Sequence, residues 1–164
     1  MNTRIQVEHP VTEMAYGLDL VDMQLKRAAG EVFTTAPDAP HAHAIECRLY
    51  AENPAKRFFP SPGPLTVLRL PETLEGTRID TGYREGDEVT MFYDPMIAKL
   101  IAWGNDRDAA IERMRALLDA CHVEGITTNL EFLRNVMSHP EFVAGHVTTH
   151  FIEQHADALI PPAT

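Results

Sequence analysis

The sequence predicts an α+β fold, a mainly antiparallel sheet flanked by helices, and three observations lead there. Strand-like segments between His43 and Trp103 are short and closely spaced, as in sheets joined by tight connections. Turn formers separate them at Thr81-Gly82, Glu85-Gly86-Asp87 and Tyr93-Asp94-Pro95. Helical periodicity is confined to the two ends of the chain, which argues against the regular strand-helix alternation of a doubly wound parallel sheet.

Taken in order, the first ten residues alternate polar and apolar, so an extended strand would put Asn2, Arg4, Gln6 and Glu8 on one face. Over residues 12–30 the spacing of Leu18, Val21, Leu25 and Ala28 predicts one helix. Gly17 is a point where it could break in two, Asp19 a candidate N-cap, and Gly30 its stop. Residues 43–51 alternate as a strand, with Ile45, Cys47 and Leu49 on one face and Glu46, Arg48 and Tyr50 on a polar one. Residues 53–64 hold four prolines and a glycine, which remove amide donors and predict an ordered loop. Strands are then expected at 65–70, 77–80, 88–92 and 96–103.

Residues 106–121 place Ala110, Ile111, Met114, Leu117, Leu118 and Cys121 on one stripe behind a capping Asn105 or Asp106, a strong helix signature. A short strand at 125–128, a helix from an Asn129 cap to about Met137, and a last helix over 149–159 complete the expectation. No repeat, low-complexity tract or long linker divides the chain, which predicts one domain over residues 1–164.

Composition narrows the function classes. A hydrophobic content of 45% is enough for a real core, and 24 acidic against 14 basic residues give a net charge of −10. That balance disfavours nucleic acid or an anionic membrane as a partner, so any anion site must be local and built from particular arginines. The sequence lacks a spanning stretch of about 18 apolar residues and a secretory leader pattern, which predicts a cytoplasmic location, or the mitochondrial matrix in a eukaryote. Cys47 and Cys121 sit in apolar periodic runs without CxxC spacing and read as buried free thiols. The histidines lack metal-ligand spacing, and Gly82 to Gly86 lacks a phosphate-loop pattern.

Chemistry concentrates at the N-terminus. Arg4 can clamp a small planar oxyanion with its rigid fork, Gln6 can add a hydrogen bond, and Glu8 can take a proton from what they hold. Spacing alone fits a second reading equally well, a solvated edge strand whose charges oppose aggregation. Arg48 likewise reads either as a surface arginine paired with Glu46 or Glu52, or as a cation placed where negative charge develops. Asp94, ahead of Pro95, either caps its turn or positions that face of the molecule.

Residues 1–13, MNTRIQVEHPVTE, resemble the signature that ends the ATP-grasp portion of biotin carboxylases. The resemblance continues through Glu46-Cys47-Arg48, through FPSPG at 59–63, YDPMIAKLI at 93–101 and GITTN at 125–129, covering nearly the whole chain in the family's order. It implies the fold of the biotin carboxylase C-terminal domain, with residues 1–13 as the tail of the ATP-grasp signature.

The resemblance also implies roles. Arg4, Gln6 and the backbone of Val7 match the family's bicarbonate contacts, Glu8 its general base, and Arg48 the arginine that stabilises the enolate-like oxygen of biotin. Asn2 matches an asparagine beside the metal-ATP site. The implied activity is that of a ligase, ATP- and bicarbonate-dependent carboxylation of biotin on a carrier protein, with Mg or Mn, within an acyl-CoA carboxylase of the propionyl- or methylcrotonyl-CoA kind. Expected partners are a biotin carboxyl carrier protein or domain, a carboxyltransferase subunit and a second copy in a homodimer.

The family's phosphate loop, ATP-gripping lysines and acidic metal ligands lie upstream of the signature. The expectation for this chain alone is therefore a truncated domain without activity that binds none of these cofactors tightly. Two alternatives remain, a non-catalytic dimerisation or interaction module that keeps the fold, and the equivalent region of pyruvate or urea carboxylase.

Overall fold

The computed structural model of the chain describes residues 2–33 and 39–162; Met1, the first residue of the signature, lies outside them. Residues 2–6 join no ladder, and the chain turns at Val7 and Glu8 into helix α1 (His9–Tyr16). The expected N-terminal strand is therefore absent. Pro10, in the first turn of α1, has a fixed φ that suits a helix start and lacks only an N–H that would be unpaired there anyway. Gly17 stops α1 in a left-handed conformation (φ 66°), and α2 (Leu20–Ala28) restarts behind Asp19, whose Oδ1 accepts the Asp22 amide at 2.8 Å. The break at Gly17 thus divides the predicted helix. The Val21/Leu25 stripe of α2 is exposed and the helix buries no residue, because periodicity reports an amphipathic face and not what covers it.

The strands follow as β1 (His43–Tyr50), β2 (Glu52–Asn53), β3 (Phe59–Pro60), β4 (Gly63–Pro64), β5 (Val67–Arg69), β6 (Thr77–Thr81), β7 (Glu88–Val89) and β8 (Met96–Gly104). The proline-rich segment is an ordered loop with a 3-10 turn at Pro54–Lys56 and three two-residue bridges at its edges. Helix α3 (Arg107–Ala120) begins at the predicted cap, Asp106 Oδ1 accepting the Ala109 amide at 2.9 Å. β9 (His122–Glu124) then pairs with β5. A strand was expected at 125–128 instead; Gly125 ends β9 at φ +100°, where a Cβ would stand 2.1 Å from the Pro64 carbonyl oxygen.

Helix α4 (Leu130–Ser138) follows, and the single last helix of the prediction is three short ones, α5 (Pro140–Val143), α6 (Phe151–Gln154) and α7 (Ala156–Leu159). His155 leaves helical geometry at φ −116° and separates α6 from α7. The predicted strand at 88–92 keeps only Glu88–Val89, leaving Met91, Phe92 and Tyr93 exposed.

The central sheet is antiparallel in the order β1-β8-β6. One face, with Cys47, Leu49, Ala98, Leu100 and Ala102, packs with Met114, Leu117 and Leu118 of α3 and with Leu130, Phe132, Leu133 and Met137 of α4. Each leucine, methionine and phenylalanine among them contributes about 1.5–3 kcal/mol by leaving water, which makes this the core. Arg115 and Arg134 donate to the carbonyls of Met137, Leu118 and Cys121, tying the C-terminal ends of α4 and α3 together. The fold is α+β, as predicted. Among the described residues no helix is long and apolar enough to cross a membrane.

Candidate functional site

The other face of the central sheet carries charge. Antiparallel register sets Glu46, Ile101 and Arg78 in one row and Arg48, Lys99 and Asp80 in the next. Side chains two apart on a strand share a face, so six residues from three strands present five charges to α1, which packs over β1 and β8. Arg48 and Lys99 are direct cross-strand partners, and like charges so placed repel unless anions lie near. The two cations form a local anion-attracting spot in an acidic chain.

Helix α1 is fixed over this face by its one fully buried carboxylate. Glu13, with a side chain 3% exposed, accepts the Leu20 amide on Oε1 at 2.8 Å and Arg78 Nη1 on Oε2 at 2.7 Å, while His9 Nδ1 stands 3.0 Å from Oε1. Arg78 also grips Asp80 with Nε and Nη2 at 2.7 and 3.0 Å, a two-point guanidinium-carboxylate contact of the stronger kind. Lys99 lies 3.0 Å from Asp80 and donates to the Val7 carbonyl at 3.3 Å. Burial alone would raise the Glu13 carboxyl, but Arg78, the Leu20 amide and His9 outweigh it and hold the group below its ordinary value. Asp80 is held down in the same way, its burial outweighed by Arg78 and Lys99. These contacts place Val7 and Glu8, at the entrance to α1, over the sheet.

There Glu8 Oε2 accepts Arg48 Nη2 at 2.6 Å. At the neighbouring nitrogen of the guanidinium, Glu46 Oε1 lies 3.7 Å from Arg48 Nε. The carboxylate of Glu46 is buried, and neither of its oxygens has a hydrogen-bond partner. Burial raises its carboxyl, Lys99 and Arg48 offset part of that, and the nearby Glu8 charge adds to the rise.

The backbone beneath Arg48 is also held. Asn129 is buried and makes no cap to α4; it donates through Nδ2 to the Arg48 carbonyl at 3.0 Å and accepts the Tyr50 amide at 2.8 Å. Its own amide donates to the Tyr50 carbonyl at 3.2 Å. One residue thus pairs the free edge of β1 on both sides of Leu49, where the register shift of a β-bulge falls. The expected helix cap is instead a strand clamp.

The sequence-predicted residues converge only in part. Glu8 and Arg48 meet, and the Val7 carbonyl is bound to Lys99. Arg4, Gln6 and Glu8 line a cleft of about 770 Å³ together with Leu20, Met23 and Phe33, but Arg4 is exposed and donates to the neighbouring Ile5 carbonyl at 3.0 Å. Asn2 is exposed, and among the described residues no group of three or more His, Cys, Asp or Glu converges to hold a metal. Cys47 and Cys121 are buried free thiols. Asp94 caps its turn, its Oδ1 accepting the Met96 amide at 2.9 Å.

Sequence reasoning missed Lys99, Arg78, Glu46 and Asn129 as parts of the site. Lys99 is visible as a charge within an apolar strand and Arg78 as one within a short polar strand, but only the strand register sets them beside Arg48 and Asp80.

The profile of the biotin carboxylase C-terminal domain family matches residues 46–154, and that of the carbamoyl-phosphate synthase L chain ATP-binding domain matches residues 1–35. The mitochondrial methylcrotonoyl-CoA carboxylase subunit alpha of Mus musculus is 50% identical over 163 residues, 98% of this chain and 23% of the relative. Biotin carboxylase of Halalkalibacterium halodurans is 50% identical over 160 residues, 94% of this chain and 34% of that one. Among solved structures, the biotin carboxylase domain of a thermophilic 2-oxoglutarate carboxylase bound to bicarbonate superposes with a TM-score of 0.92 at 39% identity, covering 96% of this chain and 36% of its own. The chain therefore spans about a quarter to a third of the curated relatives named.

Proposed function

The chain belongs to the biotin carboxylase C-terminal domain family, and on that premise we propose that it supplies the bicarbonate and biotin side of a biotin carboxylase site. ATP-dependent activation of bicarbonate would come from an ATP-grasp half, as would the donor set for Mg or Mn, since Asn2 adds one neutral amide oxygen at most. The partners in this reading are a biotin carboxyl carrier protein or domain, a carboxyltransferase subunit and a second copy of the chain.

The observation that carries the reading is Glu8 bound to Arg48 at 2.6 Å. A carboxylate poised at the edge of an arginine-lysine pair fits the removal of a weakly acidic ureido proton beside a cation that takes up the resulting charge. Glu8 accepts the proton, Arg48 faces the ureido oxygen where the negative charge collects, and Lys99 adds to the positive field. Arg4 and Gln6, on the same N-terminal segment, bind the bicarbonate with the Val7 backbone. Arg48 could not serve this way with a mobile backbone, and Asn129 fixes it.

The test joins the chain in frame behind the ATP-grasp half of a biotin carboxylase relative and follows labelled bicarbonate into carboxybiotin. Incorporation should require ATP, bicarbonate and biotin together, and should be lost in Glu8→Gln and Arg48→Ala. Incorporation no greater than that of the ATP-grasp half alone, or variants at the wild-type rate, would overturn the assignment.

A further inference from the structure

We infer that Glu46 is a positioning residue for biotin carboxylation, a buried carboxylate that holds Arg48 in place when Glu8 takes up the proton. The inference rests on the function proposed above and adds a residue to which no role in that reaction has been given.

Glu46 is costly where it stands. Its side chain is 4% exposed, and both oxygens lack a hydrogen-bond partner. A buried carboxylate without partners destabilises a fold, and a neutral side chain of the same shape would fit better. Packing does not explain its place, but its distance to Arg48 does. At 3.7 Å from Arg48 Nε it lies just outside hydrogen-bond range, while Glu8 holds the adjacent Nη2 at 2.6 Å. Arg48 therefore has two carboxylates beside its Nε and Nη2, Glu8 exposed at the entrance to α1 and Glu46 shielded from water on its own strand.

The groups facing Glu46 decide how the two communicate. Arg48 flanks it on β1, Lys99 on β8, and Glu8 and His9 come from the entrance to α1; Arg78, across the row on β6, is engaged with Glu13 and Asp80. The Glu8 charge opposes ionisation of Glu46. When the ureido N–H bond breaks and its proton forms an O–H bond on Glu8, the electron pair stays on the ureido group and Glu8 loses its charge. The repulsion between the two carboxylates then ends, Glu46 is left as the anionic neighbour of Arg48, and the guanidinium stays aimed at the ureido oxygen.

Two measurements test this. In the chain itself, carbon NMR of the Glu46 carboxyl should give a titration midpoint above the ordinary 4.5, and Glu8→Gln should move it down; a midpoint indifferent to Glu8→Gln overturns the inference. In the chain joined to an ATP-grasp half, Glu46→Gln should lower kcat for biotin carboxylation by about tenfold or more, the scale of a misplaced reacting group, without raising KM for biotin. Glu46→Asp should recover part of the loss. Melting of Glu46→Gln at or above the wild-type temperature excludes misfolding as the cause, and wild-type kcat in that variant also overturns the inference. Absence of carboxylation in the wild-type fusion would count against the proposed function instead, while the NMR titration would still decide the coupling.

Discussion

Arg48 Nη2 donates to Glu8 Oε2 at 2.6 Å, joining β1 to the entrance of α1 across 40 positions of sequence. The two side chains are 38% and 53% exposed, and exposed ion pairs contribute about 0–1 kcal/mol to stability. Glu8→Gln should therefore move the melting temperature by no more than about 2–4 °C, the equivalent of ~1 kcal/mol in a domain of this size. Removing a general base costs about 10²–10⁴-fold in rate, so carboxylation in the fused enzyme should collapse. A melting shift as large as that of a core deletion would show that Glu8 is structural first.

Arg78 presents the opposite balance. It is the guanidinium partner of buried Glu13 and of Asp80 at once, and breaking a buried pair from one side costs about 3–5 kcal/mol. Because Arg78 is one-third exposed, water can replace part of what it gives, and Arg78→Met should cost about 2–3 kcal/mol in urea unfolding. Adding Glu13→Gln should recover part of that loss by removing the stranded charge. Purely additive losses would mean that the two do not share one network.

Elements whose signal lies in local spacing were legible in the sequence: the Asp106-capped α3 with its five buried residues, the alternating strand β1, and the break at Gly17. The N-terminal alternation misled because residues 2–6 have no strand to pair with, and a local pattern cannot say whether a partner exists. The motif identified Glu8 and Arg48, but their contact depends on α1 lying across the sheet, which Glu13 and Arg78 arrange over 65 positions. Asn129 looked like a helix cap because cap residues and strand clamps use the same short amide, and only the tertiary fold decides which backbone it meets.

Asn129→Ala tests that clamp. It removes a donor and an acceptor that pair the β1 edge, and leaving buried backbone groups unpaired costs about 1–3 kcal/mol. In the fused enzyme its effect should fall on biotin carboxylation more than on biotin-independent ATP hydrolysis, because the loosened strand segment is the one bearing Arg48. Asn129→Asp keeps the acceptor for the Tyr50 amide but loses the donor to the Arg48 carbonyl, so it should lie between alanine and wild type. Equal losses in both activities would argue for a general folding defect.

The thiols give an independent check of the core. Burial pushes Cys47 up to about 12 and Cys121 up to about 11, and thiolate rather than thiol is the reactive form. Neither should react with an aromatic disulfide reagent in the folded chain at pH 8, and both should react on unfolding in urea. Prompt reaction in native buffer would show that the sheet face against α3 and α4 opens readily.

Acid and alkali should act on the fold through different carboxylates. Glu13 and Asp80 are held below their ordinary values of 4.5 and 3.8, so the folded state binds those protons less tightly than the unfolded state. Their stabilisation is complete above the ordinary values and is lost as pH falls through them toward the folded ones. Unfolding free energy should accordingly decline on acidification below about pH 4.5, and less steeply in Glu13→Gln. Glu46 has the reverse sign: its folded carboxyl lies above 4.5, so its contribution is present below that value and is lost as pH rises through the folded one. Glu46→Gln should then match wild type near pH 4 and exceed it at pH 8, in urea titrations run at both. A variant less stable than wild type at pH 8 would mean that Glu46 is ionised at a structural profit, and that the polar face of the sheet tolerates its charge without Glu8 giving way.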